Sequence, residues 1–452
     1  MKNIFLLFVF SIFIIPFSLG QEPWTLEKCI LYAFENNISI KQQAINTEYN
    51  SNILHQSKIG LAPNLNAGVN HGWSFGRALD ETTYEFSEQE TVMSTNVAVN
   101  SSVTLFNGLQ QRNTIQQNEF NLRASLKDLE KLKNDISLLL ASGYLQILFN
   151  MELLQVSKDQ HELTLQQVNR TSKLVDAGSL ARGSLLEIQA QAAGEELNVI
   201  EAQNLLDISY LNLTQMLDLD SVGDFEIEIP EFGDVVREPM LITVGSVYND
   251  ALNVLPQVQG AEYRLQSANQ GLSIAQGGRS PNLYLNAQWG TGFSDARQRF
   301  VNPGESLETE DVPFWEQMNG NQNSIVSLGL NIPIFNQWMV NTNISNARIN
   351  VISNELSLET TKMDLYKNIQ QSYADATAAR KKYLATEDAL ISMEESFKYT
   401  EQKFEVGLVN TVDYNTEKNR LTKTQSDLLQ SKYDYIFKTK ILDFYRGIPI
   451  RL

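Results

Sequence analysis

Two long tracts of this chain contain no proline, one between Pro63 and Pro230 and the other between Pro333 and Pro449. Internal proline costs a helix roughly 3 kcal/mol or more, because it lacks an N–H and its ring meets the preceding turn, so these tracts are free to run as unbroken helix. Each opens on residues that alternate polar and apolar, the pattern of a strand with one wet and one apolar face. Long helices joined to short amphipathic strands, twice in one polypeptide, describe a conduit rather than a catalyst.

The chain has 452 residues, enough for two or three ordinary domains or one large one. Residues 1–20 read as a secretory signal: Lys2 is the basic start, Ile4 to Phe17 the apolar run, and Ser18-Leu19-Gly20 the small-residue exit before Gln21. A membrane anchor is the alternative, but the run falls short of the roughly 20 residues that span a bilayer. With no cysteine at the exit, a lipid anchor is not expected. Beyond this segment no apolar run is expected to form a transmembrane helix, so a membrane location would have to use strands. The formal net charge of −18 argues against nucleic acid, whose partners carry a basic footprint. The single cysteine, Cys29, excludes an internal disulfide; it falls among Leu26, Ile30, Ala33 and Phe34 on a helical stretch and reads as a small buried apolar group.

The first repeat, residues 21–240, begins with a helix from Trp24 to Ile59, with Thr25 as its N-cap, stopped by Gly60 and Pro63. A strand over about 63–75 sets Leu65, Ala67, Val69, His71, Trp73 and Phe75 against Asn64, Asn66, Gly68, Asn70, Gly72 and Ser74. After a polar loop, a second strand over about 94–106 sets Thr95, Val97, Val99, Val103 and Leu105 against polar and small residues. Helix follows from Leu109 to Asp176, on the order of 100 Å at 1.5 Å per residue, and returns from Leu185 to Leu217 after a turn at Gly178 and Gly183. Residues 218–240 form an acidic insert. The second repeat, 241–452, has the same plan: helix interrupted near Pro256, strands over about 281–293 and 324–335 around a polar loop from Ser294 to Asn323, helix from Trp338 to Glu405, a turn at Val406-Gly407-Leu408, and helix from Asp413 to Tyr445. The interval from Phe106 to Gly178 equals that from Phe335 to Gly407, which points to internal duplication.

The strands' apolar faces could pack on a core or face lipid. Their length near 9–11 residues, aromatic residues at their ends (Trp73, Phe75, Trp289, Phe293; Phe106, Phe335, Trp338) and long hydrophilic loops at one end favour lipid. Four strands cannot close a barrel, and open edges in hydrocarbon leave backbone groups unsatisfied at several kcal/mol each. Lipid-facing strands therefore require several copies of the chain.

The paired strand ends Leu105-Phe106-Asn107-Gly108 and Ile334-Phe335-Asn336, the paired helix tips Ala177-Gly178-Ser179-Leu180 and Val406-Gly407-Leu408, and the ending around Tyr435-Ile436-Phe437 and Phe444-Tyr445-Arg446-Gly447 resemble the TolC-type outer-membrane efflux channels. The resemblance covers essentially the whole mature chain. It implies a mixed α and β membrane protein, a homotrimer whose long antiparallel helices form a periplasmic α-helical barrel. Four strands per chain would enter a twelve-stranded transmembrane β-barrel. It also implies outer-membrane lipid, a periplasmic adaptor and an inner-membrane transporter as partners, with efflux or type I secretion as the function. A structural periplasmic coiled-coil protein is the competing reading. In the family an acid six residues after the tip glycine helps form a constriction; Asp413 holds that place and Ser184 its first-half counterpart, while Phe404 matches a family aromatic. Arg182 is the nearby cation that could pair with Asp413 in place of the family's basic residue, whose position here is Val409. A helix N-cap is the other reading of Asp413. Gly178, Ser179, Leu180, Val406, Gly407 and Leu408 resemble the adaptor-contact tips. No catalytic constellation, metal set or cofactor motif is expected: His55, His71 and His161 lie far apart, and no phosphate-binding glycine loop is present.

Overall fold

The computed structural model describes residues 23–77, 84, 86, 90–219, 225–230, 242–301 and 309–452. The segment expected as a secretory signal and much of the expected acidic insert lie outside them. Thr25 caps α1 (Leu26–Asn36), its hydroxyl accepting from the Lys28 N–H at 3.0 Å. The single helix expected as far as Ile59 is two. Asn37 adopts extended backbone, and its side-chain oxygen accepts from the N–H groups of Ser39 and Ile40, opening α2 (Ile38–Ile59). Asparagine competes with the helix for its own backbone and so makes a new start there.

Strands β1 (Asn66–Gly76) and β2 (Glu90–Phe106) lead into α3 (Gln110–Asp176) and α4 (Arg182–Met216). Then come α5 (Val244–Val254) and α6 (Pro256–Gly277), separated at Pro256 as expected, and β3 (Asn282–Ser294). The segment expected as a polar loop carries structure of its own: β4 (Gln298–Phe300), β5 (Thr309–Asp311) and α7 (Phe314–Gly320). The last strand, β6 (Asn323–Asn331), stops short of the expected 335, since Pro333 has no N–H to give the ladder. Helices α8 (Met339–Glu405) and α9 (Thr411–Tyr445) complete the chain. Matched helices have equal lengths: 11 residues for α1 and α5, 22 for α2 and α6, 67 for α3 and α8, 35 for α4 and α9.

The chain divides into two compact units. One comprises the chain as far as Lys41 with Lys133–Asp250 and Ile369–Leu452. Its core joins Leu26, Cys29 and Ala33 of α1 to Leu140, Tyr144 and Leu148 of α3, Leu213 of α4 and Ile436 of α9. The Tyr144 hydroxyl lies 2.9 Å from the Trp24 carbonyl and 2.5 Å from that of Glu228, tying α3 to a one-residue parallel bridge between Trp24 and Ile227. Against expectation, α3 contains a stretch long and apolar enough to cross a bilayer; half of it is buried in the protein, and it is apolar because it lies in this helical core.

The other unit, Gln42–Leu132 and Ala251–Asn368, holds the sheet. Its order is β1-β2-β3-β6, antiparallel throughout. The register decides what the alternation means. Val69 pairs with Val97, Val97 with Thr291, Val99 with Trp289, and Leu285 with Leu328. All four apolar sets therefore fall on one face, and Leu65, Val69, Trp73, Val326, Leu328 and Leu330 are each more than half exposed. A bulge at Leu105 brings Phe106, rather than Leu105, opposite Leu283. On the other face the Tyr284 ring occupies the space that a side chain at Gly329 would fill.

At the β2–α3 junction Gly108 has φ +66°, and a Cβ there would collide with the Gly277 carbonyl at the end of α6. Both the conformation and the close approach demand glycine. Gly108→Ala should destabilise the protein by about 1–3 kcal/mol from strain alone, read as a lowered midpoint of thermal denaturation; an unchanged midpoint would show that the junction tolerates a side chain.

Candidate functional site

Each long helical hairpin turns through the same hydrogen-bond pattern. At the first tip the Gly178 N–H donates to Val175 and the Ser179 N–H to Leu174; at the second, Gly407 donates to Phe404 and Leu408 to Lys403. Both glycines have positive φ, +71° and +75°, with open space where a Cβ would lie. Backbone conformation, not crowding, selects glycine at both C-termini.

The tips differ in how the return helix begins. Ala181 starts α4 without a side-chain cap, whereas the Asn410 side chain accepts from the Asp413 N–H at 2.8 Å to start α9. Asp413 is thus not the N-cap; that role belongs to Asn410. Asp413 is the third residue of α9, exposed, where a carboxylate faces the positive end of the helix dipole. Arg182 is exposed in the first turn of α4, and among the described residues no ion pair joins it to Asp413. Phe404 stacks on Tyr414 at 4.5 Å, closing the α8–α9 hairpin on itself. Tyr414 is buried, and burial pushes its hydroxyl up to about 12.

Between the tips lies a cleft of about 930 Å³. It brings together Ser179, Leu180 and Ser184 of the first tip with Phe404, Val406, Gly407 and Leu408 of the second; Gly178, Arg182 and Asp413 do not line it. Leu408 and Val406 are respectively 76% and 70% exposed, an outward apolar display. Arg170 of α3 reaches Glu405 across the cleft at 3.1 Å. Both side chains are about half exposed, so this pair contributes about 0–1 kcal/mol.

A buried tie lies deeper. Lys418 of α9 is 2% exposed and stands 3.5 Å from Glu195 of α4, itself 4% exposed. Its ammonium also donates to the Gln160 carbonyl at 3.3 Å and to Thr164 Oγ1, while the Thr164 hydroxyl meets the second oxygen of Glu195. Three helices from the two hairpins therefore converge on one buried charge pair. Desolvation lowers the Lys418 pKa against the opposing pull of Glu195. None of these residues was singled out in the sequence. The signal was present as a polar residue on a buried stripe: Lys418 follows Thr411 and Tyr414 at helical spacing, and Glu195 follows Ile188 and Ala192.

Removing one partner strands the other charge in the interior, at about 3–5 kcal/mol, whereas replacing both by apolar groups of similar size is nearly neutral. Lys418→Met and Glu195→Leu alone should each sharply lower the urea midpoint of the purified protein, and the double variant should regain most of the loss. Additive losses in the double variant would mean that the two charges are not coupled.

Residues 31–218 and 247–440 match the family described as outer membrane efflux protein. Outer membrane protein TolC of Escherichia coli (strain K12) is 21% identical over 422 residues, 93% of this chain and 81% of TolC. Among solved structures, CusC aligns with a TM-score of 0.78 at 16% identity over 96% of each chain. The outer membrane protein VceC of Vibrio cholerae aligns with a TM-score of 0.76 at 15% identity, over 93% of this chain and 96% of VceC. These structures share the fold: long helices with a few strands. With both halves of the chain matched, the protein belongs to the outer membrane efflux protein family and is an exit duct of the outer membrane.

Proposed function

We propose that this chain works as a homotrimer in which each copy gives four strands to a closed twelve-stranded barrel in outer-membrane lipid, and its helices to an α-helical barrel that continues the water-filled path into the periplasm. The observation that carries this reading is the four-stranded sheet. One face is apolar and exposed, and β1 and β6 each keep one edge unpaired among the described residues. Such edges are compatible with hydrocarbon only if other copies pair with them. The number three comes from the family likeness. The duct has no energy source of its own in this reading. It catalyses no reaction, needs no cofactor, and passes substrate handed on by an inner-membrane transporter through a periplasmic adaptor.

The two halves, 21–240 and 241–452, arose in our reading by duplication. The equal helix lengths support this. So do the two residues of positive φ that follow at the same interval after Phe106 and Phe335: Gly108 and Leu109 in one half, Gln337 and Trp338 in the other.

We place the constriction at the hairpin tips. Asp413, repeated by symmetry, would form an acidic ring that favours cations. Ser184 and Phe404 line the adjoining cleft, and Arg182 contributes a compensating charge rather than an intrachain partner. The exposed Leu180, Val406 and Leu408, held out by the glycine turns, form the adaptor-contact surface with Gly178, Ser179 and Gly407.

Purified protein in planar bilayers should give single-channel currents, and Asp413→Ala should raise conductance or lower cation preference. Absence of any current from assembled wild type would defeat the duct reading, while unchanged variant currents would remove Asp413 alone. Leu408→Asp should abolish adaptor crosslinking without loss of the SDS-resistant oligomer; retained crosslinking would place the contact elsewhere.

A further inference from the structure

The segment between β3 and β6 is anchored to one particular face of the sheet. Thr291 Oγ1 donates to the Met318 carbonyl at 2.6 Å, and the Phe293 ring lies 4.9 Å from that of Phe314. Thr291 and Phe293 belong to the same alternating set as Leu283, Leu285, Ala287 and Trp289, and they pair with Val97 and Thr95 of the apolar set of β2. Side-chain contacts between α7 and β3 are thus made on the apolar face. Backbone ties hold α7 there. Gln317, 3% exposed, accepts from the Ser294 N–H at 3.0 Å and donates to the Ser294 and Val312 carbonyls at 2.8 Å; Asn321 donates to the Gly292 carbonyl at 2.6 Å. Arg299 of β4 joins Glu310 of β5 and Glu316 of α7 into one ionic brace. The aromatic series runs from Phe293 to Phe314 and on to Trp315, 5.1 Å further, which is 73% exposed.

We propose that α7 lies outside the barrel wall and sets Trp315 in the acyl–headgroup boundary of the outer leaflet, so that the described part of this excursion anchors the sheet in the bilayer rather than covering its water-filled mouth. The inference rests on the reading of the apolar face as lipid-facing. Continuity selects the occupant. Trp73 and Phe75, exposed on the same face of β1, stand at the same end of the sheet as Phe293: the register sets His71 opposite Thr95 and Thr95 opposite Phe293. Trp315 therefore extends an existing aromatic band outward from the sheet. Tryptophan suits that boundary because its ring is apolar and its indole N–H seeks the wet side. Arginines 297 and 299 are outnumbered by Asp295, Glu310, Asp311 and Glu316 in the described segment, so the attraction would be interfacial rather than to anionic headgroups.

The test uses the full-length protein in phospholipid vesicles, with Trp315→Cys carrying a nitroxide; the native thiol, Cys29, is buried and stays unlabelled. Collision with oxygen should exceed collision with a water-soluble nickel chelate several-fold. A nickel chelate preference would place the label at the aqueous mouth, and low collision with both reagents would place it against protein; either result overturns the proposal. Val69→Cys, on the apolar set of β1, reports separately. If it too lacks the oxygen preference, the lipid-facing reading of the sheet fails; if it keeps that preference while position 315 loses it, only the α7 placement fails. Should Trp315→Cys not assemble, wild type and Trp315→Phe are compared in vesicles of brominated phospholipid. Loss of part of the quenchable tryptophan emission supports the anchor, and identical quenching overturns it.

Discussion

The register of one small sheet governs what this protein can be. Side chains alternate faces along a strand, so a slip of one residue would scatter the apolar sets over both faces. The observed pairing gathers them on one, leaving that face mostly apolar and the opposite face rich in asparagine, glycine and serine. Among the described residues, the short α7 packs against that face at one end. A surface so apolar needs a medium, and the edges of β1 and β6 that are unpaired among the described residues need partners. In the proposed assembly, lipid supplies the first and other copies of the chain supply the second, which would make membrane insertion and assembly one problem.

At the helical tips the strengths of the ties are unequal. The exposed Arg170–Glu405 pair spans the cleft, but water screens it. The buried Lys418–Glu195 pair, with Thr164 between them, is paid for in desolvation and repaid only while its geometry is complete. Such a cluster specifies one arrangement of α3, α4 and α9 more than it adds net stability. The glycine turns beyond it are conformationally required yet sterically open, so they hold Val406 and Leu408 out without constraining what binds them.

Much of this was legible in the chain. The absence of proline left α3 and α8 free to run unbroken, and the tip glycines Gly178 and Gly407 marked where they end; the alternation located all four strands of the sheet; and the spacing from Phe106 to Gly178 matched that from Phe335 to Gly407. The misses share a cause. Asn37 broke a helix that periodicity carried through, because its side chain offered the backbone another partner. Asp413 resembled an N-cap until Asn410 took the role three residues earlier. Helix α7 and strands β4 and β5 were hidden in a polar segment, since their stability comes from contacts with β3 and from the Arg299 brace rather than from local pattern.

By itself, the sequence determined the long helices and the four sheet strands, their order and their amphipathic character, because these depend on backbone propensity and side-chain period, which act over a few residues. Only the tertiary structure decided which apolar sets share a face, which side of the sheet carries α7, and that Lys418 meets Glu195 rather than Arg182 meeting Asp413. Those outcomes join residues up to hundreds of positions apart, and such distant pairings follow from packing and burial, which no short-range pattern encodes.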